Sequence, residues 1–138
     1  MRGTAKYQRL KNVGIEVYKE KGDCGVIAVA IMAGVSYGKA YASLQRYGRQ
    51  NRCGTTVPML IGALNELTGN AHMWFVVPDA HRYTVNKAPE IHKKDALLLT
   101  SGHVCGMIGG VVHDWTQGRR HKVLATIGPI NNNEEIRV

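Results

Sequence analysis

Residues able to carry out nucleophilic acyl chemistry stand at two places in this chain. Cys24 follows an aspartate at the head of the apolar run "DCGVIAVAIMAG" (23–34). Far downstream, "SGHVCGMIGGVVHDW" (101–115) holds His103, Cys105, His113 and Asp114 around a paired glycine. A thiol becomes an effective nucleophile when a histidine takes its proton, a third group orients that histidine, and fixed donors meet the charge developing on the attacked carbonyl.

The downstream segment supplies the histidine and its orienter. Gly109-Gly110 between two short apolar runs is the signature of a two-residue hairpin. That turn pairs Ile108 with Val111, Met107 with Val112, Gly106 with His113 and Cys105 with Asp114. Strand side chains alternate between faces, so His103, Cys105, Met107, Val112 and Asp114 share one face. Val104, Ile108, Val111, His113 and Trp115 share the other. His103 and Asp114 become diagonal neighbours at a Cα separation of roughly 7–8 Å, a gap their side chains can bridge. A carboxylate there holds one ring nitrogen and leaves the other free as a base. A one-residue slip would bring His113 to Asp114 instead. Taken alone, the pair also fits an ordinary hydrogen bond on a sheet face.

Cys24 supplies the thiol. It follows a cap-type residue at the predicted N-terminus of a buried helix, where the helix dipole and unpaired first-turn amides favour a thiolate and an oxyanion. Gly25 leaves room for a substrate backbone to approach. Asp23 opposes the thiolate, and a histidinium partner must outweigh it. Cys105 is the rival nucleophile, but it lies on a strand without helix-end amides. Cys53 sits in the polar loop "GRQNRCG" with no such setting. A metal site built from Cys24, His103, Cys105 and His121 fits no familiar zinc spacing. No metal or cofactor is therefore expected.

The elements that must position these groups are legible in part. Residues 1–21 read as an irregular lead-in, with one short strand in "VGIEVY". A buried helix spans about 24–33 and stops at Gly34. A second starts at the capping Ser36 and ends by Gly48, with Tyr37, Ala40, Tyr41 and Leu44 on one face. A third covers about 57–68, with an early proline and a terminal glycine. Strands follow at 73–77 and 95–101, in the hairpin, and at 122–128. "TVNKAPEIHK" holds one short helix, and 129–138 form an exposed tail. Helices first and an antiparallel sheet second predict an α+β fold in a single domain, 1–138.

The chain has 138 residues, three cysteines and a formal net charge of +8. This length suffices for a core without disulfide staples, and the odd cysteine count points to free thiols. No apolar run reaches membrane-spanning length and the N-terminus lacks a secretory pattern, so a cytoplasmic location is expected. The basic charge favours nucleic acid, an acidic protein or anionic lipid as partner, although it is dispersed in short clusters at 19–21, 92–94 and 119–122. Tyr37, Tyr41, Tyr47, Trp74 and Trp115 are candidates for a substrate groove, with core packing the simpler role for most.

The order of cysteine at a helix start, histidine on a strand and aspartate on the next strand is the layout of papain-like cysteine peptidases. The pairing of "DCGVIAVAIMAGVSYGKAYASL" with "SGHVCGMIGGVVHDW" resembles a family of small papain-like proteins encoded mainly by tailed bacteriophages. The resemblance runs over about residues 22–116. It rests on Asp23, Cys24, Ala28, Ala30, Gly34, Ser36, Tyr37, Tyr41, Leu44, Gly102, His103, Gly110, Val111, Asp114 and Trp115. It implies a papain-like fold, Cys24 as nucleophile, His103 as general base and Asp114 as orienting carboxylate. It also implies a protein or peptide substrate and residence in the host cytoplasm. Many papain-like families hold a glutamine shortly before the cysteine to complete the oxyanion hole. This chain has Tyr18, Lys19, Glu20 and Lys21 there, which leaves open whether a lysine donates instead. The implied activity is hydrolysis or acyl transfer at an amide or isopeptide bond. The alternative is an inactive papain-like scaffold that binds a host protein or nucleic acid.

Overall fold

The apolar run after Asp23 forms the helix around which the other elements pack. In the computed structural model, which describes residues 2–78, 82–92 and 94–130, α2 spans Cys24–Ala33 and every residue from Gly25 to Ile31 is buried. A helix apolar on all sides must be covered on all sides. Helix α3 (Tyr37–Arg46) and α4 (Val57–Thr68) cover one side, and the sheet covers the other. Gly34 at φ 67° ends α2 in the left-handed conformation. Ser36 and Thr56 cap α3 and α4 by accepting from the Lys39 and Met59 backbone N–H groups. The predicted bounds of these three helices agree with the structure to within about a turn.

The lead-in is a correction. Residues Ala5–Glu16 form helix α1, capped by Thr4, whose hydroxyl accepts from the Tyr7 N–H. Val13, Ile15 and Val17 suggest a strand by their alternation, yet all three are exposed. The helix buries a narrow face of Tyr7 and Gly14, with Leu10 packed beside it, too thin a stripe to register as amphipathic. Gly14 is where α1 crosses the start of α2. A Cβ there would lie 2.3 Å from Asp23 Oδ2 and 2.8 Å from the Tyr37 hydroxyl.

Five strands form one antiparallel sheet: β1 (His72–Val76), β2 (Ala96–Thr100), β3 (His103–Ile108), β4 (Val111–His113) and β5 (Ala125–Pro129), in the order β1-β5-β2-β3-β4. The architecture is therefore α+β, with the four longer helices ahead of the sheet. The last strand inserts between β1 and β2 and begins three residues later than the predicted start at 122. Pro129 ends β5, and the Ile130 N–H donates to the Ala71 carbonyl, so 129–130 belong to the sheet rather than to a free tail. The rest of that predicted tail, 131–138, lies outside the described residues. "TVNKAPEIHK" becomes a 3-10 turn, Val85–Lys87, running into the short α5, Ala88–Ile91.

The sheet has a core on each face. Leu97, Val104 and Ile127 pack against the helices, whereas Leu98, Cys105, Met107 and Val112 pack with Tyr83, Val85, Ala88 and Val123 on the opposite side. Close approach of α2 to β3 depends on Gly106, where a Cβ would come within 3.1 Å of the Ala28 carbonyl oxygen. A buried ion pair ties the loop before α2 to the loop after α3. Arg49 donates to both carboxylate oxygens of Glu20, at 2.9 and 3.2 Å, and Asn51 and the Arg52 backbone N–H donate to the same carboxylate. No single helix among the described residues is long and apolar enough to cross a membrane.

Candidate functional site

The hairpin turns where predicted. Gly109 and Gly110 both take positive φ, 56° and 75°, as a two-residue primed turn requires. The register pairs Ile108 with Val111, Met107 with Val112 and Gly106 with His113. Asp114 follows the last residue of β4, and the His103 Nε2–H donates to its Oδ2 at 2.8 Å. His113, on the opposite face, bonds through Nδ1 to the Thr4 hydroxyl at 2.7 Å and so anchors the start of α1.

Asp114 is 2% exposed and its Oδ2 takes two further bonds, from the Thr116 backbone N–H at 3.1 Å and the Thr116 hydroxyl at 2.6 Å. A carboxylate held by three donors has little freedom, so it fixes the tilt of the imidazole. Trp115 covers the His103 ring at a centroid distance of 5.3 Å and is itself covered by the Arg119 guanidinium at 5.5 Å.

Cys24 and His103 line the same two hollows, and the imidazole whose Nε2 is engaged by Asp114 acts electrostatically on the thiol. The Val104 backbone N–H also favours the thiolate. Burial opposes a thiolate here. Together His103 and Val104 outweigh burial and the repulsion of Asp114, so the thiol lies below its ordinary value. Burial likewise opposes charge on His103. Its bond to Asp114 and the negative charges of Asp114 and Cys24 prevail and push it up to about 9. Both shifts favour the thiolate–imidazolium form of the pair over the neutral one.

Asp23 does not act as the sequence implies. Its side chain makes no cap bond at the helix start, leaving only its carbonyl to accept from the Ile27 N–H. The carboxylate turns away, accepting from Lys11 Nζ at 2.9 Å and the Tyr37 hydroxyl at 2.9 Å. Lys11 balances its charge, and the first-turn amides of α2 stay uncapped beside the thiol. Gly25 also departs from expectation. The space a Cβ would occupy is filled by Thr55, whose Oγ1 would lie 2.3 Å away, so this glycine admits a loop side chain rather than a substrate.

Two hollows meet at the cysteine–histidine pair. One, of about 370 Å³, is walled by Thr55, Val57, Leu60, Leu99 and Thr100. The other, of about 200 Å³, is walled by Tyr7, Lys11, Gly22, Ile27 and Trp115. Cys24, Gly102 and His103 line both. A third cavity, about 360 Å³ and largely apolar, lies at the far edge of the sheet between β1 and the segment after α5. Of the aromatic groove candidates, Trp115 lines the site, Tyr37 is core, Tyr41 packs on Tyr18, and Tyr47 and Trp74 are exposed elsewhere.

Cys105 stays on its strand, 1% exposed and away from both hollows, and His121 packs edge-on against Trp115. Among the described residues no three His, Cys, Asp or Glu side chains converge as metal ligands. Sequence reading missed Tyr7, Lys11 and Thr116. The spacing of Tyr7, Lys11 and Gly14, at i, i+4 and i+7, together with the Thr4 cap, was the available signal for the first two.

Comparison with protein-family models, with curated proteins and with solved structures finds no match to this chain. Fold and geometry define its class: an α+β protein in which a helix-tip cysteine lines the same hollows as a strand histidine that is hydrogen-bonded to a buried aspartate.

Proposed function

We propose that the protein is a thiol-dependent hydrolase or acyl transferase of the papain-like kind, acting on an amide or isopeptide bond of a protein or peptide. The observation that carries this reading is the Cys24–His103–Asp114 series at the meeting point of two open hollows. In the proposed reaction the Cys24 thiolate attacks the carbonyl carbon. A sulfur–carbon bond forms and the carbonyl π pair moves onto oxygen. Collapse reforms the carbonyl and breaks the carbon–nitrogen bond, while the His103 imidazolium gives its proton to the departing amine. His103 then takes a proton from water, or from an acceptor amine, as that nucleophile attacks the thioester. Sulfur leaves as thiolate, and the protonated histidine is restored. Asp114 holds the ring and touches no reacting atom.

Support comes from the convergence of groups picked for different chemical reasons: a helix end, a hairpin register and a carboxylate. The resemblance to small phage-encoded papain-like proteins agrees with the same assignment. The binding-scaffold reading calls for a closed, basic groove. Among the described residues the larger hollow has no lysine or arginine in its wall and the smaller has Lys11 alone, paired with Asp23.

The test is alkylation by iodoacetamide at pH 6–7 with mapping of the modified cysteines. Cys24 should react at least about tenfold faster than the exposed Cys53. Equal or slower labelling of Cys24 removes the basis of the proposal. A partner-binding activity that survives intact in Cys24→Ala favours the scaffold reading.

A further inference from the structure

The series above lacks one part that acyl chemistry needs, a side-chain donor for the oxyanion. Glu20, in the segment where a papain-like glutamine would stand, is an acceptor locked onto Arg49, Asn51 and Arg52. In the larger hollow the Thr100 hydroxyl donates to the His103 carbonyl and Thr55 packs into the space at Gly25, and the smaller hollow holds the other choices. Asp23 accepts from Lys11 and Tyr37, and Trp115 lies against His103. Lys11 is engaged by Asp23 in a 2.9 Å ion pair. Tyr7 remains. The residue is 6% exposed, it lines the hollow together with Cys24 and His103, and its hydrogen bond to Thr4 is made by the backbone N–H, not by the hydroxyl. A tyrosine hydroxyl in the wall of a reactive cavity can donate to a group bound there.

We propose that the Tyr7 hydroxyl donates to the oxyanion formed when Cys24 attacks a carbonyl, together with the uncapped first-turn amides of α2. This rests on the acyl-transfer reading and adds a catalytic residue to it. Helix α1 is then part of the active site, held in place by the Thr4–His113 bond, the Lys11–Asp23 pair and the close crossing at Gly14. Burial, and the negative charges of Asp114, Asp23 and Cys24 around it, push the Tyr7 hydroxyl far up, so it stays protonated through the working pH range. A donor of this kind stabilises the tetrahedral intermediate and contributes nothing to an alkylation, which forms no oxyanion.

That distinction sets the experiment. Wild type, Tyr7→Phe and Lys11→Met are each treated with 4-nitrophenyl acetate, with acylation of Cys24 followed by mass spectrometry, and in parallel with iodoacetamide. In Tyr7→Phe, acylation should fall by about 100-fold, the scale of one oxyanion donor. Alkylation of Cys24 should stay within about twofold, which also shows that the variant is folded with its thiolate intact. Loss of both reactions would make Tyr7 a structural or positioning residue and overturn the proposal. Unchanged acylation in Tyr7→Phe, with loss in Lys11→Met, would transfer the role to the lysine. A wild type that alkylates rapidly but is not acylated would overturn the Tyr7 proposal and leave the activated thiol standing. A wild type inert to both reagents would bring down the site reading itself.

Discussion

Cys24 and Cys105 both feel the charge of Asp114, and they come out opposite. Cys24 stands at the tip of α2, on the helix-covered side of the sheet. Cys105 lies in β3 among Leu98, Met107 and Val112, in the core on the other side. For Cys105, burial comes first, the Asp114 charge adds to it, and a long contact of 3.9 Å from the Thr116 hydroxyl offsets little, so the thiol is pushed far up and stays protonated. For Cys24, burial acts in the same direction and so does Asp114. What reverses the outcome is the imidazole between sulfur and carboxylate, with a backbone N–H from Val104. A buried carboxylate thus suppresses a thiol it faces directly and activates one it reaches through a protonated base.

The comparison is tested most severely by exchanging which cysteine remains. Cys24→Ala should abolish acyl transfer, whereas Cys105→Ala should keep it within a few-fold while losing some stability from the vacated core volume. Activity that persists without Cys24 would refute the contrast. Removing the intervening base should come next. His103→Ala should lower acyl transfer by about 10³-fold and bring Cys24 alkylation at pH 6–7 down toward the rate of Cys53. Asp114→Asn should cost less than His103→Ala, because it removes the charge but leaves an orienting side chain, as in Cys-His-Asn sites. It should also lower the alkaline limb of the pH–rate profile.

That limb follows from the sign of the shifts. The active pair needs Cys24 deprotonated and His103 protonated. Activity should rise with pH as the thiol ionises, below the usual thiol range, and fall as pH passes about 9, where His103 loses its proton. A profile still rising through pH 9 would contradict the ion pair. The smallest expected effect is that of Thr116→Val, which removes one of three donors to Asp114 Oδ2 and should slow turnover only a few-fold. Apart from the chemistry, Glu20→Ala would strand Arg49 as a buried unpaired charge. It should destabilise the fold by about 3–5 kcal/mol in denaturant unfolding.

The hairpin half of this candidate site is legible in the sequence, for local reasons. The α2 start follows from where the apolar run begins, and its end from Gly34. The hairpin register follows from two adjacent glycines, because a two-residue turn admits one pairing and side chains alternate strictly from it. That is why His103, and not His113, could be assigned to Asp114. Helix α1 escaped for the converse reason. Val13, Ile15 and Val17 imitate a strand, and the residue that seats the helix, Gly14, contributes by having no side chain.

The sequence by itself determined the local pieces: which cysteine begins a helix, which histidine lies diagonal to the aspartate, and that helices precede an antiparallel sheet. Only the tertiary structure decided the partners. It turned Asp23 toward Lys11 and Tyr37, filled the space at Gly25 with Thr55, and placed β5 in the middle of the sheet. It also brought the Tyr7 ring to the wall of the hollow beside Cys24. Turn chemistry and side-chain periodicity act over a few residues and leave a pattern in the chain. Which buried charge finds which counter-ion, and which ring fills which gap, depends on surfaces that meet only once the chain has packed.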